Sequence, residues 1–197
     1  MTENDDWRSA WDDMVAAVGR DFSDGKTSYG VDPVERSALR RYLEPLEFDC
    51  PLHYDEEVAR SFGFSNVTVP YTAALSWSMP AMWSPGEPPI FDDDDRNAQP
   101  ARSPINDRGE RPGPKTTGFF ATDMELDFIR PVVVGERVGR RGNKLISCTP
   151  KETSVGRGAF LKWESELVNQ DGEVVARMRT GTYAYIPRPA ADGQEQR

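Results

Sequence analysis

Apolar residues recur at helical spacing near the start of the chain and at a spacing of two through its second half. Trp7, Trp11, Met14, Val15, Val18 and Phe22 follow Asp5 and Asp6, which predicts an amphipathic helix over 7–22 with an acidic cap. Gly25 to Gly30 reads as a loop. Asp32-Pro33-Val34-Glu35 resembles a helix start, with Pro in the first turn and Glu at the capping-box position. Ala38, Leu39, Tyr42 and Leu46 follow on one face, and Pro45 should end or kink that helix. A short third helix is expected from Asp55 to Phe62, opening on Glu56-Glu57 and stopping at Gly63. The stretch 67–83 is apolar nearly all round, which predicts a buried helix opening near Pro70, with Pro80 disturbing its last turn.

Beyond residue 115 the period changes. Met124, Leu126 and Phe128 alternate with Asp123, Glu125 and Asp127, and Arg130-Pro131 breaks that strand. Val134-Gly135-Glu136 is a turn before a strand region at 137–148. Leu161, Trp163, Ser165 and Leu167 alternate with charged residues up to Asp171-Gly172, a hairpin signal. The returning strand sets Val174, Ala176, Met178, Thr180, Thr182, Ala184 and Ile186 on one face. Helices first and antiparallel strands after make an α+β domain, with the greasy helix as filling for a curved sheet. Between these halves, residues 85–115 hold seven prolines and the run Asp92-Asp93-Asp94-Asp95. A loop this long is usually functional or mobile.

Composition narrows the function classes. The 197 residues include 33 acidic and 24 basic side chains, for a net charge of −9. That balance argues against duplex nucleic acid or an anionic membrane as main partner. No apolar run reaches the roughly 18 residues of a membrane span. The acidic start, where a secretion signal would be basic and then apolar, makes a cytoplasmic location the expectation. Cys50 and Cys148 read as reduced thiols, and His53 is the sole histidine. No metal centre is expected, since the four adjacent aspartates repel one another and solvate a loop.

Two blocks carry a family resemblance. One is Phe48-Asp49-Cys50-Pro51-Leu52-His53-Tyr54-Asp55-Glu56-Glu57-Val58-Ala59, followed by Gly63-Phe64 and Val69-Pro70. The other is Asp127-Phe128-Ile129-Arg130-Pro131-Val132-Val133-Val134-Gly135-Glu136, with Asn169-Gln170-Asp171-Gly172-Glu173-Val174-Val175-Ala176 beyond it. In this order they resemble the hot-dog-fold MaoC-like dehydratases, in particular the N-terminal-type, fungal-synthase-like dehydratase domain. The resemblance spans roughly residues 30 to 187 and implies a hot-dog fold, an antiparallel sheet wrapped around a central helix at 70–83. The expected organisation is an N-terminal helix and linker (1–30), the hot-dog domain with its acidic Pro-rich loop at 85–115 (31–187), and a disordered tail (188–197). The resemblance also implies hydration of an enoyl thioester, or the reverse dehydration of a 3-hydroxyacyl thioester. It implies as well a homodimer or a heteromer with another hot-dog subunit. Coenzyme A or an acyl carrier would bear the substrate, and no other cofactor is expected.

Catalytic members carry Gly-Asp-x-Asn-Pro-x-His. His53 stands two residues after Pro51, at the histidine position, whereas the Gly, Asp and Asn positions hold Glu47, Phe48 and Cys50. Asp49 lies one residue nearer the proline than the motif's aspartate. Hydration needs a base on water, an acid for the α-carbon and donors for the thioester oxygen. His53 and Asp49 are the candidate catalytic pair. Backbone N–H groups near Tyr71 and Thr72, where the buried helix begins, are candidates for the oxygen. The competing readings are a capping or surface histidine, a turn aspartate, and Tyr71 and Thr72 hydroxyls that only cap and pack. Arg140, Arg141, Lys144, Arg157, Arg177 and Arg179 form either a phosphate-binding strip or the solvated face of strands. Two alternatives stand beside the hydratase: a non-catalytic acyl-binding subunit that supports a catalytic partner, and an acyl-CoA thioesterase.

Overall fold

The computed structural model describes residues 7–91, 94–95, 100 and 111–188. Its helices are α1 (Asp12–Ala16), α2 (Arg36–Leu43), α3 (Glu56–Ser61) and α4 (Ala74–Trp77). Its strands are β1 (Thr27–Tyr29), β2 (Gly118–Phe128), β3 (Gly139–Glu152), β4 (Gly156–Val168) and β5 (Val174–Pro187). All pairings are antiparallel, in the order β1-β3-β4-β5-β2. The α+β class and the alternating strands match the pattern in the sequence.

The helices are shorter than their patterns predict, each for a local reason. The helix expected over 7–22 is a 3₁₀ turn at Ser9–Trp11 followed by α1. Beyond it, Gly19 adopts φ +97°. Residues 19–22 then pair with β3: Gly19 N–H donates to the Leu145 carbonyl (2.7 Å) and Phe22 N–H to that of Asn143 (3.0 Å). The presumed loop at 25–30 contains β1, bonded to β3. Val34 N–H is held by the Glu136 carbonyl at 2.8 Å, so α2 starts only at Arg36. The third helix forms as expected, with the Asp55 side chain accepting from the Glu57 and Val58 N–H groups.

The central helix over 70–83 is corrected to a 3₁₀ turn at Tyr71–Ala73 running into α4. Ser78 Oγ donates to the Leu75 carbonyl at 2.8 Å. Pro80 then disfavours helical geometry at Met79. Consequently Met79, Met82 and Trp83 are exposed.

One sheet face, termed inner here, carries two apolar clusters. At one end Ala73 and Ala74 pack with Val34, Val69, Val138, Leu167 and Ala176. At the other end Trp11 and Met14 pack with Leu145, Leu161 and Trp163. The outer face carries a charge ladder across the strands. Glu125, Arg179, Glu164 and Lys144 form one row, and Asp127, Arg177, Glu166 and Arg141 the next. Arg179 bonds Asp127 (2.8 Å) and Glu164 (3.1 Å), while Arg141 reaches Glu166 at 2.7 Å. Arg157 lies 3.5 Å from Glu152. These cations face carboxylates, so they form a neutralised strand face rather than a phosphate-binding strip.

Candidate active site

The motif loop begins where α2 ends in a 3₁₀ turn at Glu44–Leu46 that includes Pro45. Glu47 follows at φ 49°, ψ 38°, the one non-glycine residue with positive φ among the described residues. It occupies the position where the catalytic motif places glycine, the residue that adopts such a left-handed bend at least cost. Phe48, at the motif's aspartate position, packs its ring against the His53 imidazole with centroids 5.3 Å apart. Asp49 is exposed, and its carboxylate has no hydrogen-bond or ion-pair partner among the described residues.

Pro51 opens a 3₁₀ turn at Pro51–His53. His53 N–H bonds the Cys50 carbonyl at 3.1 Å, while Tyr54 and Asp55 N–H groups bond that of Pro51. The turn points His53 at the buried segment Val67–Pro70, where its Nδ1 lies 2.7 Å from the Thr68 carbonyl oxygen. A carbonyl only accepts, so Nδ1 carries the proton and the neutral ring presents a lone pair at Nε2. Thr68 Oγ1 sits 3.1 Å from the same nitrogen and donates to the Leu52 carbonyl at 3.3 Å. Thr68 N–H bonds the Leu52 carbonyl as well, at 2.9 Å. Thr68 is thus the histidine's support, and sequence reasoning missed it. The β-branched run Val67-Thr68-Val69 was the available signal, because it forms an extended bridge to Val133 rather than helix.

That bridge ties the site to a polar hub. Glu136 accepts from Arg130 Nη2 (2.7 Å), the Val133 N–H (2.9 Å) and Asn169 Nδ2 (3.2 Å). Burial pushes the Glu136 carboxyl up, but Arg130, Val133 and Asn169 outweigh it and hold it below the usual range. Arg130 also bonds Glu173 at 2.8 Å, so Arg130-Pro131 is a structural device.

Tyr71 and Thr72 stand exposed at the start of the central turn. Tyr71 stacks on Phe128 of β2 with centroids 4.7 Å apart, and the Thr72 hydroxyl lies 3.4 Å from that of Tyr42. Their backbone N–H groups belong to a first helical turn, which has no intrahelical acceptor for them. Burial pushes the Cys148 thiol up to about 11, a value that suits an unreactive thiol. No group of three metal-ligating side chains occurs among the described residues. Asp92 and Asp93, most of loop 85–115 and tail residues 189–197 lie outside those residues.

The family model described as the FAS1-like, dehydratase domain region matches residues 16–178. The chain belongs to this family. A probable enoyl-CoA hydratase alpha subunit from Thermomonospora curvata is 26% identical over 184 residues, covering 93% of this chain and 54% of the relative. The chain therefore spans about half the length of that curated relative. Among solved structures, the ChsH1-ChsH2 complex from Mycobacterium tuberculosis matches with a TM-score of 0.60, 23% identity and 94% coverage of both chains. A C-terminally truncated HadBC (3R-hydroxyacyl-ACP dehydratase) complex from Mycobacterium tuberculosis matches with a TM-score of 0.52 and 16% identity, covering 82% of this chain and 98% of the other. These structural likenesses show the hot-dog fold. No helix among the described residues of this dehydratase-family chain is long and apolar enough to cross a membrane.

Proposed function

We propose that this chain is a subunit of an enoyl-thioester hydratase, or 3-hydroxyacyl-thioester dehydratase, built with a second hot-dog subunit. The observation that carries the reading is His53, whose Nδ1 is held by the Thr68 carbonyl so that Nε2 is the basic atom. In the hydration direction, Nε2 takes a proton from water as its oxygen bonds the β-carbon. The α-carbon then receives a proton from the protonated form of Asp49, the candidate acid, which is recharged by the proton that His53 took from water. The Tyr71 and Thr72 N–H groups are the proposed donors to the thioester oxygen, where negative charge develops. Coenzyme A or an acyl carrier is the proposed bearer of the acyl group.

Two features support a partner. Strand β2 is eleven residues long and sits at the sheet edge. Phe119, Phe120, Met124 and Phe128 along it are exposed, as is the adjoining Ile129. A long apolar edge strand left open is an aggregation hazard, and pairing with another strand removes it. In addition, Phe48 leaves His53 without the motif's carboxylate, which favours a second reading: an acyl-binding subunit whose partner supplies the complete pair.

One experiment tests both. The chain is purified alone and with a co-expressed hot-dog partner, and hydration of trans-2-enoyl-CoA esters is followed for wild type, His53→Ala, Asp49→Asn and Phe48→Asp. The catalytic reading expects His53→Ala to lower kcat by about 100-fold or more, in the range of general-base contributions. Activity only with the partner and indifferent to His53→Ala establishes the binding-subunit reading instead. Release of free thiol without hydration points to thioester hydrolysis and overturns both.

A further inference from the structure

Among the cations of the sheet, Arg140 differs from its neighbours. It faces inward, because its cross-strand partner Leu167 and its alternate neighbour Val138 both belong to the cluster under the central helix. Its Nε donates to Ser165 Oγ at 3.0 Å, and Ser165 is itself buried. No carboxylate reaches Arg140 among the described residues, although acidic side chains outnumber basic ones by nine in this chain. Arg141, one residue later on the outer face, is paired with Glu166 at 2.7 Å. Burial also pulls the Arg140 guanidinium below its ordinary pKa. Arg111, by contrast, stacks 4.1 Å from the centroid of Trp163, two residues from Ser165 on the same face. The row through Ser165 continues to Met178 and Leu126, which are apolar. Arg140 and Ser165 therefore form the polar end of an apolar row.

We infer that Arg140, set by Ser165, receives an anionic group of the thioester substrate, and that this group is a carboxylate on the acyl chain. The inference rests on the hydratase reading above and names its substrate class: thioesters whose acyl chain ends in a carboxylate. A planar guanidinium binds a carboxylate through two parallel hydrogen bonds, and that pairing offsets the cost of desolvating its charge. The phosphates of coenzyme A offer the same chemistry, so the test separates the two sources.

Binding and hydration of trans-2-octenedioyl-CoA and trans-2-octenoyl-CoA are compared, together with the pantetheine thioesters of both acids, which lack the nucleotide. The protein is the co-purified assembly carrying wild type, Arg140→Gln, Arg140→Lys or Ser165→Ala, with melting curves as a check on folding. Wild type should prefer the carboxyl-ended ester by roughly tenfold or more in both carrier series, as expected for charge-assisted bonds. That ratio should collapse in Arg140→Gln and recover in part in Arg140→Lys. A ratio unmoved by Arg140→Gln overturns the assignment. A preference that follows the nucleotide rather than the carboxylate overturns the acyl-end reading and gives Arg140 to the carrier. Equal binding of both acyl chains with hydration intact sinks this inference alone. Binding of neither ester by any form of the assembly removes the substrate site on which the hydratase reading also depends.

Discussion

Replacing Arg130 by alanine tests the hub that supports the histidine. Arg130 donates twice to Glu136, at 2.7 and 3.3 Å, and once to Glu173 at 2.8 Å. The Glu136 side chain is 12% exposed and that of Arg130 31%. Breaking a fully buried pair by removing one partner costs about 3–5 kcal/mol. Exposed pairs are worth about 0–1 kcal/mol. Arg130 lies between these limits and Glu136 keeps the Val133 and Asn169 donors, which together place the loss at about 2 kcal/mol at pH 7. For a chain of this size that is a fall in Tm of about 4–8 °C. The pH dependence follows from the depressed carboxyl of folded Glu136. Its stabilisation is complete above the unfolded carboxyl pKa of about 4.3 and is lost as pH falls through the lower folded value. The difference between wild type and Arg130→Ala should therefore shrink on going from pH 7 to about pH 3.5. Urea unfolding at both pH values, with Glu136→Gln closing a double-mutant cycle, measures this. A loss that stays the same at both pH values, or a coupling near zero, refutes the charge-based account.

Three further substitutions probe the motif loop and the packing of the fold. Glu47→Gly should stabilise the chain by about 1 kcal/mol, because glycine accepts the left-handed φ of 49° without the cost an L side chain meets; a lower Tm would contradict it. Gly30→Ala should destabilise by about 2–3 kcal/mol, since the new Cβ would fall on the Trp77 carbonyl oxygen at the end of α4; thermal melts decide. Trp11, 4% exposed, anchors the N-terminal segment on Trp163 and Leu161. Trp11→Ala should cost about 3 kcal/mol, read as a lower urea midpoint at unchanged m-value.

Much of this architecture is legible in the sequence because the signals are local. Asp55 reads as a cap and acts as one, accepting from two N–H groups. Asp171-Gly172 reads as a turn, and Gly172 takes φ +80° while buried Asn169 accepts from the Asp171 and Glu173 N–H groups. The alternation at 161–167 places Leu161, Trp163, Ser165 and Leu167 inward, as expected. What the sequence hides is non-local. Residues 19–22 leave their helical pattern because β3 offers them hydrogen bonds, and apolar periodicity carries no trace of that competition. Thr68 becomes the partner of His53 only when the chain brings residues fifteen positions apart together. Arg140 and Arg141 look alike in sequence, yet alternation sends one inward to Ser165 and the other outward to Glu166.

The motif loop shows how backbone and chemistry separate. Glu47 forms a left-handed bend, Pro51 opens the 3₁₀ turn, and the Thr68 carbonyl holds Nδ1 of His53. These features tie α2, the loop and the extended segment 67–69 together, so they serve the fold as well as the histidine. Phe48, at the motif's aspartate position, packs on the imidazole. A ring at this position supplies no carboxylate to steady the imidazolium formed by proton transfer. Phe48→Asp places a carboxylate there. If His53 works within this chain, the substitution should raise kcat and move the acid limb of the pH–rate profile upward, because a neighbouring carboxylate raises an imidazole pKa. If the partner's residues do the chemistry, that limb should not move. A profile that shifts downward would contradict both accounts of the loop.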